Sequence, residues 1–179
     1  MRGCVQKYQS VHAELVEAPR KSMTNTPTTE RRKLYLEDLK VGDRFTSGEY
    51  ALDAEKIKAF ALQFDPQPFH TDEEAAKRTF FGGLAASGWH TAAVTMRLLV
   101  DSGIPLADGI IGSGGDEIRW PQPTRPGDVL HVVSEIVEIV PSRSKPGRAM
   151  VKVRCETRNQ RGEVLQFFSP KLVVLRRPG

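Results

Sequence analysis

The chain has 179 residues, 39% of them hydrophobic and 27% charged, which suits one soluble globular domain with a sizeable core. Its longest apolar run near the C-terminal end, Leu172-Val173-Val174-Leu175, is far short of the roughly 18 residues that cross a bilayer, so a membrane-spanning helix is excluded. The net charge of +4 invites a nucleic-acid reading, but the positives gather at Arg20, Lys21, Arg31, Arg32 and Lys33 and again at Arg176 and Arg177, with no basic face interleaved with aromatics between them. A solvated tail explains them, and no nucleic-acid partner is expected.

Residues 1–33 hold Ser, Thr, Asn, Pro and charge without apolar periodicity, and Thr24-Asn25-Thr26-Pro27-Thr28-Thr29 reads as coil, so a disordered extension is predicted ahead of a single domain over 34–179. Met23 stands just before that polar stretch and is a candidate natural start. Glu14 and Glu17 interrupt the only apolar stretch of the N-terminus, which removes the pattern of a secretory signal and predicts a cytoplasmic protein. The two cysteines, Cys4 and Cys155, make neither a disulfide framework nor a metal site, and both are expected as free thiols.

Order is predicted to begin at Leu34. A turn over Leu36–Asp43 leads into a strand from Arg44 to Leu52, with Phe45 and Tyr50 turned to buried faces. Asp53 offers an N-cap oxygen, and Ile57, Phe60, Ala61 and Phe64 fall at helical spacing, so a helix is predicted over 54–64. Pro66 and Pro68 make 65–72 a rigid loop rather than a helix interior. Asp72 caps a short helix over 73–76, and a Gly-containing loop follows at Phe80-Phe81-Gly82-Gly83.

Ser87 and Gly88 then open a second helix, from Trp89 to about Asp101, that is apolar on most faces and is expected to be buried. Beyond it the period changes to two. Strands are predicted at 110–113, 116–120, 129–140, 149–159 and 164–175, with turns at 123–128, 145–147 and 159–162. One strand, then helices, then a meander of long antiparallel strands describes an α+β fold with a helix packed on one face of a sheet.

The Pro-locked segment carries the most specific signal. Asp65 and His70, five residues apart, are presented by a backbone with little freedom, as a preorganised acid/base pair requires. On spacing alone, a turn-capping Asp and a hydrogen-bonded loop His remain the commoner explanation. Gly88 at a helix N-terminus leaves an amide open to a ligand oxygen, where the helix dipole favours developing negative charge; close packing is the alternative reason for a glycine there. His90 is expected as a hydrogen-bonded core residue, His131 lies on a strand and His12 in the extension, and no two histidines sit at metal-ligand spacing. The basic hairpin Ser142–Arg148 reads as a solvated turn.

The run Phe64-Asp65-Pro66-Gln67-Pro68-Phe69-His70-Thr71-Asp72, then Ala75 and Ala76, then Phe81-Gly82-Gly83-Leu84-Ala85-Ala86-Ser87-Gly88 and the turn Pro123–Asp128 resemble the MaoC-like dehydratase family, which includes the R-specific enoyl-CoA hydratases. The likeness spans residues 35–175. It implies a hot-dog fold, an antiparallel sheet wrapped around a central buried helix, and a hydro-lyase that adds water to or removes it from an acyl thioester carried on coenzyme A or acyl carrier protein. By the resemblance, Asp65 acts as base on a water that His70 orients, the Gly88 amide binds the thioester carbonyl, and no metal or cofactor is needed beyond the coenzyme A of the substrate.

Gln67 stands where the family usually has Asn, Phe69 where it has a smaller aliphatic residue, and Ser87 where many hydratases have His. These three, with Phe81 and Trp89, are therefore candidate substrate-binding positions. A hot-dog thioesterase and a non-catalytic acyl-thioester-binding subunit are the competing readings. A lone hot-dog sheet leaves a long strand edge exposed, which together with the resemblance predicts a homodimer or higher homo-oligomer.

Overall fold

The computed structural model describes residues 32–179. The extension, the alternative start at Met23, Cys4 and His12 lie outside the described residues.

A 3-10 turn at Leu36–Asp38 precedes strands β1 (Arg44–Thr46) and β2 (Tyr50–Ala51). Sequence alone predicts a single strand here. The register shows why it divides: Thr46 pairs with Val133 but Tyr50 with Leu130, so the first strand carries one extra residue. That bulge is held by Ser47, whose amide donates to the Val132 carbonyl and whose hydroxyl accepts from the Val132 amide, while the Gly48 amide donates to the Ser102 hydroxyl.

Helix α1 (Ala54–Phe64) starts where Asp53 accepts from the Lys56 amide at 2.8 Å, and it buries Ile57 and Ala61. The Pro-locked segment is not the plain loop expected of it. Pro68 takes the first position of a single helical turn, α2 (Pro68–Thr71), where its missing amide proton costs nothing because that position has no intrahelical acceptor. Asp72 then caps α3 (Glu73–Lys77) by accepting from the amides of Glu74 and Ala75.

The long helix α4 (Gly88–Ser102) lies against the sheet, and Val94, Leu98 and Leu99 join its core face to Leu130, Val132, Ile136, Val151 and Val153. Its burial is one-sided, contrary to the expectation from composition. Trp89, Met96 and Val100, at helical spacing, form an exposed apolar stripe, with Trp89 62% exposed. No helix among the described residues is long and apolar enough to cross a membrane.

Strands β3 (Ile111–Arg119), β4 (Val129–Pro141), β5 (Arg148–Arg158) and β6 (Val164–Leu175) complete an antiparallel sheet in the order β1-β4-β5-β6-β3, with β2 also on β4. The segments 110–113 and 116–120 are one strand, β3, with register shifts between Gly112 and Gly114 and between Gly115 and Ile118. Alternation in β4 and β5 turns Leu130, Val132, Ser134 and Ile136, and Ala149, Val151, Val153 and Cys155, toward α4. The result is the sheet-around-helix arrangement of a hot-dog fold. Cys155 is a free, buried thiol, and burial pushes it up to about 11.

Candidate active site

Asp65 is the residue at which α1 ends, and Pro66 prevents the helix from continuing past it. The next turn, α2, returns His70 toward it, so that His70 Nε2 lies 3.4 Å from Asp65 Oδ2. His70 is buried, and its Nδ1 is 2.7 Å from the Ala85 carbonyl. A carbonyl only accepts, so Nδ1 carries a proton toward Ala85, and Nε2 is the ring nitrogen that faces the carboxylate. Phe69 packs edge-on to the imidazole at 4.5 Å and against Phe81 at 5.0 Å, which fixes the ring plane.

Both carboxylate oxygens of Asp65 are engaged. Ser87 Oγ donates to Oδ2 at 2.6 Å and Gln67 Nε2 donates to Oδ1 at 2.7 Å. Partial burial pushes the carboxyl upward, but the Ser87 and Gln67 donors and the facing His70 outweigh it and hold Asp65 below the ordinary carboxylate range. Asp65 is therefore ionised at neutral pH, as a base must be.

Ser87 is also the N-cap of α4, accepting from the Trp89 amide at 3.2 Å. The next residue, Gly88, is the first of the helix, a position whose amide has no intrahelical acceptor. Close packing is one reason for a glycine here, because a Cβ on Gly88 would come within 2.7 Å of the Trp120 indole. Trp120 in turn donates from Nε1 to Gln166 at 2.8 Å, and buried Gln166 donates to Thr95 at 3.0 Å.

A cavity of about 390 Å³ opens beside this point, lined by His70, Phe81, Gly88, Thr91, Trp120 and Pro123, among others. Of the predicted substrate-binding positions, the structure brings Phe81 to the cavity wall and Phe69 and Gln67 onto the Asp65–His70 pair. Trp89 packs edge-on to Trp120 at 5.6 Å and points largely to the outside. A second, apolar cavity of about 370 Å³ lies further along α4 against β3, lined by Met96, Leu99, Gly112, Gly115, Cys155 and Phe168, among others.

Sequence reasoning missed three contributors. The Ala85 carbonyl orients His70, Trp120 covers Gly88, and Arg125 clasps the loop between α3 and α4 by donating to the carbonyls of Phe81 (2.5 Å), Gly83 (2.8 Å) and Leu84 (3.1 Å). Arg125 was visible only as part of a turn, and an arginine ahead of Pro-Gly-Asp was the available hint. Among the described residues, no three His, Cys, Asp or Glu side chains gather as a metal-ligand set.

A family model described as "MaoC like domain" matches residues 22–158. The chain belongs to the MaoC-like domain family. This MaoC-like chain is 63% identical to a crystal structure described as a MaoC-like dehydratase from Rhodospirillum rubrum, over 82% of its own length and 99% of the other, with a TM-score of 0.80. It is 31% identical over 142 residues to an uncharacterised protein of Bacillus subtilis, covering 79% of this chain and 99% of that one. It is 29% identical over 116 residues to a 3-hydroxybutyryl-CoA dehydratase of Methylorubrum extorquens, covering 65% of this chain and 72% of that one.

One histidine departs from its expected role. His90 is buried as predicted, stacked on Phe60 at 4.5 Å with the rings nearly parallel, but its Nδ1 has no hydrogen-bond partner. Burial first, and then Lys56, push its pKa down. The unfolded chain thus binds a proton that the folded chain refuses. Stability from this group is complete above roughly pH 6.5, where an unfolded histidine titrates, and is lost as pH falls below it, by at most about 1.4 kcal/mol per pH unit. Denaturant titrations at pH 5 to 8 should show a shallower acid loss for His90→Phe, which keeps the stack, than for the wild type; equal slopes would assign the loss to other groups.

Proposed function

We propose that the chain is a hydro-lyase that adds water to, or removes it from, the C2=C3 bond of an acyl thioester. The observation that carries the reading is the facing pair itself, an ionised Asp65 and a His70 oriented by the Ala85 carbonyl, 3.4 Å apart, with His70 and the head of α4 at Gly88 lining one cavity. Their separation allows one water to touch both groups.

In the hydration direction the water oxygen bonds to C3 while Asp65 takes its proton, and His70 Nε2 orients the water and shares the proton. Electron density then moves to the thioester oxygen, where the Gly88 amide stabilises the enolate-like charge with the help of the helix dipole. A proton returned to C2 from the same pair completes the addition. This route calls for no metal or redox cofactor. The relative acting on 3-hydroxybutyryl-CoA supports coenzyme A as the carrier.

Among the described residues, many of the basic side chains are matched by acidic ones: Arg32 and Arg177 face Asp38, Arg44 and Arg154 face Glu135, and Arg161 faces Asp128. This argues against a nucleic-acid surface. The Ser142–Arg148 hairpin lies at the far end of β4 from the turn beside the site, on the order of 40 Å away along the strand.

Exposed edge strand β3 runs beside the apolar stripe of α4, and the two share the lining of the apolar cavity. A second copy pairing at β3 would cover both, so a homodimer is part of the proposal.

Incubation with saturated and 2,3-unsaturated acyl-CoA tests the reading. Loss of enoyl absorbance without free thiol is expected; thiol release would favour a thioesterase, and binding without turnover a non-catalytic subunit. Light scattering at micromolar concentration should give twice the chain mass.

A further inference from the structure

We propose that Ser87 is a positioning residue for Asp65, acting through the carboxylate rather than on the substrate; the inference rests on the hydro-lyase reading above. Sequence reasoning placed Ser87 at the substrate because it stands where many hydratases have His. The structure turns its hydroxyl the other way.

Ser87 is 1% exposed, and its hydroxyl is fixed from two sides, donating to Asp65 Oδ2 at 2.6 Å and accepting from the Trp89 amide at 3.2 Å. With the amide proton on the oxygen, the hydroxyl proton is committed to the carboxylate. The oxygen it holds, Oδ2, is the one that faces His70 Nε2 at 3.4 Å. Oδ1 is held by Gln67, an exposed side chain with freedom to move. The buried donor thus sets which oxygen meets His70, while the exposed one follows.

The same hydroxyl ties Asp65 to the first turn of α4. Asp65 Oδ2, Ser87 Oγ and the Trp89 amide form a strut that ends one residue beyond Gly88, so the base and the amide proposed for the thioester oxygen keep a fixed separation. Such spacing matters because an ångström of misplacement costs orders of magnitude in rate. His70 is the titratable group facing Asp65, and Ser87 and Gln67 are neutral donors, so removing Ser87 leaves the burial of the carboxylate less opposed.

The test is Ser87→Ala, a smaller side chain that the site accommodates, followed by two readouts. Carbon-13 NMR titration of the Asp65 carboxyl should move upward by about one pH unit, because a neutral donor to the charged form has been lost. The acid limb of kcat/KM on a short 2-enoyl-CoA should move with it, with kcat about tenfold lower and KM nearly unchanged. A lower melting temperature with neither the titration nor the acid limb displaced would overturn the proposal and leave Ser87 as a helix cap. If the wild type turns over no enoyl thioester while the Asp65 titration still shifts, the positioning role stands and the hydro-lyase reading falls.

Discussion

Asp65→Asn is expected to lower hydration of a 2-enoyl-CoA by roughly 10²- to 10⁴-fold, the range contributed by a positioned acid or base. The substitution preserves shape and removes only the ability to take a proton. Ser87 and Gln67 donate to the two carboxylate oxygens, so an asparagine can keep its oxygen on buried Ser87 and turn its NH2 group to Gln67, whose exposed amide can flip to accept it. Stability should therefore change by less than the ~1 to 3 kcal/mol that an unsatisfied buried group costs.

His70→Ala should be as severe for activity. It removes Nε2 and leaves the Ala85 carbonyl without the donor it has at 2.7 Å. Activity followed by enoyl absorbance, with circular dichroism and thermal melting as the fold control, checks both variants. Wild-type turnover by either would remove the pair from the mechanism.

How much of this was legible beforehand depends on what kind of interaction each feature needs. The alternation of β4 and β5, the Asp53 and Asp72 caps, and the opening of α4 at Ser87-Gly88 are local, set by residues within a few positions of one another, and they could be read directly. That Asp65 and His70 lie close together could also be read, because two prolines stiffen the few bonds between them, while the roles expected of them came from the resemblance. The Ala85 carbonyl could not, since a backbone acceptor has no side chain to mark it.

Other misses share a tertiary cause. The bulge that divides β1 from β2 is held by Val132 and Ser102, 85 and 54 residues away from their partners. The direction of the Ser87 hydroxyl depends on where the end of α1 arrives. Apolar on most faces, α4 is expected to be buried, but hydrophobicity records that a surface is to be covered, not whether the same chain covers it. Its exposed stripe fits the cover a second copy would give.

The other large effect is expected at Gly88. An alanine Cβ there would lie 2.7, 2.8 and 3.0 Å from three atoms of the Trp120 ring, closer than side-chain carbons approach. The ring cannot retreat cheaply, because its Nε1 is bonded to Gln166, which is buried and bonded to Thr95. Overpacking of this kind costs about 1 to 3 kcal/mol, so Gly88→Ala should melt at a lower temperature. Activity should fall further than stability, by up to roughly 10²- to 10³-fold, because displacement of the first residue of α4 moves the amide proposed for the thioester oxygen.

Trp120→Ala in the same chain separates the two effects. Removing the ring relieves the clash, so the double variant should lose less stability than the two single changes added together, the signature of residues in contact. Recovered stability without recovered activity would mean that the Trp120 wall is itself needed by the substrate. Recovery of both would trace the whole defect to the displaced helix start. A Gly88→Ala protein as stable and as active as the wild type would show that the ring yields freely and that the start of α4 is not displaced.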